Sequence, residues 1–78
     1  MSSGNKIKVV IVFRKETNRP SIIEVNEYPY TDIKYRMDAE EERAKRMLKN
    51  GVTLVHSERR RTIIPPQDIL QIHIEDVR

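Results

Sequence analysis

His56 and His73 are the only histidines in this 78-residue chain, and histidine is the side chain most apt to exchange protons near neutral pH. With Glu75 or Asp76 close to His73, they supply the parts of a two-histidine, one-carboxylate metal site or of an acid–base pair. The two fall on different predicted strands, however, at a spacing that no metal or hydrolase motif requires. His56, Arg59 and a carboxylate would be the parts of a minimal ribonuclease, but nothing orders them as nucleophile, base and orienter. The chain holds no H-E-x-x-H, G-x-S-x-G, P-loop or G-x-G-x-x-G motif, and its only glycines are Gly4 and Gly51. Cysteine is absent, which excludes disulfide frameworks, thiolate nucleophiles and Cys-ligated zinc. The expectation is a non-catalytic protein with no metal site and no cofactor.

Recognition chemistry is better represented. Arg59, Arg60 and Arg61 read as a nucleic-acid patch when taken as a string. In a strand, successive side chains point to opposite faces, so Arg59 and Arg61 would share one surface and Arg60 the other. Two arginines suffice to hold a phosphate or carboxylate through bidentate contacts. Charge that protects a sheet edge is the more general explanation of the run, because open sheets need it. Tyr28, Tyr30 and Tyr35 are three of the four aromatics, interleaved with Lys34 and Arg36. Tyrosine and arginine dominate interface hot spots, although completing a core short of large side chains is an equal use for Tyr28 and Tyr35. The candidate partner- or anion-binding set is therefore Tyr28, Tyr30, Lys34, Tyr35, Arg36, Arg59 and Arg61.

The charge distribution offers an alternative. The net charge is +3, and residues 1–37 hold all of the excess, with seven basic groups against four acidic. Lys6, Lys8, Arg14, Lys15 and Arg19 lie in the first predicted hairpin and form a candidate nucleic-acid-binding set, because a two-stranded ribbon fits the major groove. Residues 38–50 and 51–78 are each neutral, and a charge of +3 is modest for a dedicated binder.

These side chains must be positioned by a small sheet. Ten Ile and seven Val stand against three Leu, one Phe and no Trp, and β-branched residues pack well on a pleated surface. Ile7, Val9, Ile11 and Phe13 share one face of a first strand; Lys6, Lys8, Val10, Val12 and Arg14 share the other. A polar turn at 15–20 leads into a second strand over 21–28, forming a hairpin. Residues 33–37 alternate as a strand would, although Ile33 and Met37 at i,i+4 suit a helix equally. Asp38 followed by Glu41 resembles a capping box, and acids lead while bases follow, so the helix is placed at 38–50 with Asn50-Gly51 as its stop. Its apolar stripe is Ala44, Met47 and Leu48, and the pairs Glu41–Lys45 and Glu42–Arg46 are expected along it. Strands are expected at 52–56, 60–64 and 69–75, the second ended by Pro65-Pro66.

The sequence thus predicts an α+β fold: a small, mainly antiparallel β-sheet in the order β-β-α-β-β-β, with one helix packed on one face. A flexible N-terminus is expected at 1–5 and a single domain at 6–78. The longest apolar run, Val9 to Phe13, is far short of the ~20 residues that span a bilayer, so a cytoplasmic location without membrane contact is expected. A chain below ~70–80 residues seldom draws more than ~3–5 kcal/mol from its core, and oligomerisation is a common remedy. The functional expectation is a self-associating binding module for a protein partner or small anion; nucleic-acid binding is the alternative. Its size would also suit a viral or mobile-element accessory protein that blocks a host factor. If nothing covers the sheet face opposite the helix, Val10, Val12 and their neighbours form an exposed patch.

Overall fold

The computed structural model describes residues 5–28 and 32–77, and these form the expected α+β domain. Strand β1 (Asn5–Phe13) is central, flanked by β2 (Ile22–Tyr28) and β5 (Ile69–Val77), and all pairing is antiparallel. The helix α1 (Ile33–Asn50) packs against β5 and touches β1. Strands β3 (Val52–Ser57) and β4 (Arg60–Ile64) form a separate two-stranded sheet, so the five strands divide between two sheets. Pro65 and Pro66 follow β4 directly and bring no N–H groups, so its ladder cannot run on into β5. A 3-10 turn at Pro66–Asp68 makes that connection.

The alternation in β1 decides where the core lies. Ile7, Val9, Ile11 and Phe13 are 0–6% exposed and meet Val52, Ile64 and Ile69 in one cluster. Each fully buried Ile or Val contributes roughly 1.5–3 kcal/mol relative to exposure. Ile22, Leu54, Ile72 and Ile74 pack partly buried around this centre. β1 begins at Asn5, which lies opposite Tyr28, so the first strand takes in the last residue of the segment expected to be flexible.

The helix begins five residues earlier than the capping pattern suggested. Asp32, not Asp38, is the N-cap: its carboxylate accepts from the Lys34 N–H at 3.0 Å and its carbonyl from the Arg36 N–H at 3.2 Å. Starting there lets Ile33 and Met37 join Met47 against the core, with Ala44 buried between them, at helical spacing. Leu48 is 47% exposed and stands outside that stripe. Glu40, Glu41 and Glu42 lie mid-helix, where Lys45 pairs with both Glu41 (3.3 Å) and Glu42 (3.6 Å), in place of a Glu42–Arg46 pair. The stop falls where expected. Gly51 takes φ +90° and its N–H donates to the Met47 carbonyl; a Cβ there would collide with the Ile64 carbonyl oxygen.

Candidate functional site

Of the side chains that suggested recognition, some are spent on structure. Arg36 lies over the Tyr28 ring at 4.5 Å, a cation–π contact. The Tyr28 hydroxyl donates to Glu40 (3.1 Å), Arg43 donates to Glu40 (3.1 Å), and a second Arg43 nitrogen reaches Glu24 on β2. Burial, then the hydrogen bond to Glu40, raises the Tyr28 phenol above its ordinary value. The hydrogen bond to Glu24 does most to hold Arg43 in its charged form. Glu40 occupies a core-facing place on α1 between Met37 and Ala44, and this network satisfies its charge. Sequence reading missed the network. The only trace of it in the sequence is Glu24, an acid among β-branched residues in β2.

The rest of that candidate set is dispersed. Lys34 and Tyr35 are exposed in the first turn of α1, with Tyr35 67% open. Tyr30 lies outside the described residues. Arg59 occupies the turn between β3 and β4, so strand alternation does not govern it; its N–H donates to the Ser57 hydroxyl. Arg60 and Arg61 begin β4, and all three arginines are exposed at the hairpin tip. The histidines also separate: His56, on β3, meets the Thr62 hydroxyl at 2.9 Å, while His73 pairs in register with Val10 in the other sheet. No cluster of three or more potential metal ligands occurs among the described residues.

The five hairpin cations divide between the ends of β1. Lys6 pairs with Glu27 at 3.4 Å, and Lys8 lies in register between Val25 and Glu75. At the far end Arg14, Lys15 and Arg19 come together around a groove of about 410 Å³, floored by Phe13 and walled by Asn18 and Pro20. The turn that carries them is firmly built. Thr17 donates twice to the Arg14 carbonyl, from its hydroxyl (2.7 Å) and its N–H (3.0 Å), and its hydroxyl oxygen accepts the Arg19 N–H. Asn18 adopts the left-handed φ of 55°. Arg14 is tied to the segment before β5 by its N–H to Asp68 and its Nε to Gln67.

The face of the β2–β1–β5 sheet turned away from the helix carries a second feature. Ile23 and Val25 are 60% and 54% exposed there, beside the half-buried Val10 and Val12. β2 is thus apolar on both sides: Ile23 and Val25 face outward, while Ile22 and Tyr28 face the core with Glu24. In comparisons with known proteins, the chain matches no family model, no curated protein and no solved structure. No described helix is long and apolar enough to cross a membrane.

Proposed function

We propose that the chain is a small non-catalytic binding module that acts through self-association, the open face of its three-stranded sheet taking the same face of a second copy. The observation that carries this reading is the two-sided apolar character of β2, which directs Ile23 and Val25 outward next to Val10 and Val12 while Ile22 and Tyr28 pack toward the core. A lone surface Ile is ordinary, but contiguous β-branched side chains on one sheet face mark an interaction surface. A second copy suits the face because the patch is self-complementary in charge: Lys6 and Lys8 on the central strand are flanked by Glu27 and Glu75. A two-fold axis can set these unlike charges against one another.

Sedimentation equilibrium from about 10 to 500 μM tests the reading. The expected result is a mass approaching twice 9.3 kDa at the upper concentrations, with Ile23→Lys shifting the protein to monomer. A monomer at every concentration, or a dimer that Ile23→Lys leaves intact, would rule this interface out.

A further inference from the structure

A second concavity adjoins the cationic groove. It measures about 200 Å³ and is lined by Phe13, Arg19, Pro20, Ile22, Leu54 and Ile64, so it shares Phe13, Arg19 and Pro20 with its neighbour. The two form one cleft between the β1–β2 turn and the β3–β4 hairpin, with a cationic mouth and an apolar floor. Arg14, Lys15 and Arg19 make no ion pair among the described residues, whereas Lys6, Arg43 and Lys45 do. No acidic side chain lines either part.

We propose that this cleft binds a phosphate monoester carrying a compact apolar group. The head follows from charge. A phosphate monoester carries about −1.5 to −2 at neutral pH, which three cations with no ion pair among the described residues match better than they match a single carboxylate. Arginine also offers phosphate a planar fork of donors. The tail follows from the lining: Phe13, Ile22, Leu54 and Ile64 offer a largely apolar surface beside the cations. Arg19 borders both parts and ties head to tail. The hydrogen bonds of the 15–19 turn hold the mouth in place before a ligand arrives, which lowers the ordering cost of binding. Phe13 and Ile22 belong to the covered side of the sheet, so the site is independent of the proposed self-association face.

Hexyl phosphate is the probe, followed by NMR chemical shifts at low salt, with inorganic phosphate and hexanol as its two halves. The expected result is saturable binding, on the order of 1 mM or tighter for a ligand of this size. It should shift the amides of Lys15, Asn18 and Arg19 together with the methyls of Leu54 and Ile64. Inorganic phosphate should bind at least tenfold more weakly. The double variant Lys15→Gln/Arg19→Gln, at two exposed positions, should lose at least tenfold in affinity, while Ile23→Lys should bind as the parent does. Equal binding of inorganic phosphate, an unchanged affinity in the double variant, or shifts confined to another surface would each overturn the proposal. So would an oligonucleotide that occupied the mouth more tightly than hexyl phosphate without shifting Leu54 and Ile64, since that outcome assigns the cations to nucleic acid.

Discussion

The Tyr28 hydroxyl shows how a single acid in the wrong place shapes its surroundings. Glu40 falls within the core-facing stripe of α1, and its carboxylate would be costly there without donors. Tyr28 and Arg43 supply them, and Arg43 spans to Glu24 on β2, so the network fastens helix to sheet. The phenol donates only while protonated, and its folded pKa is raised by burial and by Glu40. A raised folded value means that its contribution is fully present below the unfolded pKa, about 10, and is lost as pH rises through the folded one. Wild-type stability in urea should therefore fall more steeply above about pH 10 than that of Tyr28→Phe, which has no proton to lose there. At pH 7 the same substitution should cost about 1 kcal/mol, the worth of one hydrogen bond to a charged, partly solvated partner. Parallel alkaline limbs for the two proteins would show that Tyr28 makes no such bond in solution.

Among the elements, α1 allows the sharpest test, because two aspartates compete for its start. Asp32→Ala should cost about 1 kcal/mol of unfolding free energy, since it removes the acceptor for the Lys34 N–H. Asp38→Ala lies within the helix, replaces a poor helix former with the best one, and should change stability by less than ~0.5 kcal/mol. The reverse ranking would return the start to residue 38. The sequence left this undecided for a physical reason. Ile33, Tyr35 and Met37 satisfy period 2, while Ile33 and Met37 also satisfy period 3.6. What selects the helix is burial of those two side chains against strands distant in the chain. β1 posed no such problem, because a short β-branched run with one wholly apolar face and charge only at the ends of the other suits a central strand, and Gly51 was equally legible as a stop. The cleft lies between these cases. Its cations were visible as residue types in one turn, but Leu54 and Ile64 join them only through the fold.

For the molecule as a whole, the governing fact is a shortage of interior. The chain extends 41 × 27 × 19 Å with a radius of gyration of 13.9 Å, against about 11.5 Å for a compact domain of its length. Its helix and its second hairpin both lie on one side of a three-stranded sheet, and five β-branched side chains, Val10, Val12, Ile23, Val25 and Val77, remain on the other. A chain so built gains stability by covering that side. Association links stability to concentration, because a partner that binds only the folded state adds to its free energy by mass action. Each tenfold dilution of a dimer lowers its unfolding free energy by about 1.4 kcal/mol, which for two small domains is a few degrees of Tm. The melting temperature of the wild type should accordingly fall by about 3–6 °C per tenfold dilution across the range where dimer prevails. Ile23→Lys should melt at one temperature throughout and, at high concentration, below the wild type, although it removes no contact within the monomer's core. A wild-type Tm that ignored concentration would mean that the three-stranded sheet stands with one face in water, sustained by the seven-residue core cluster alone.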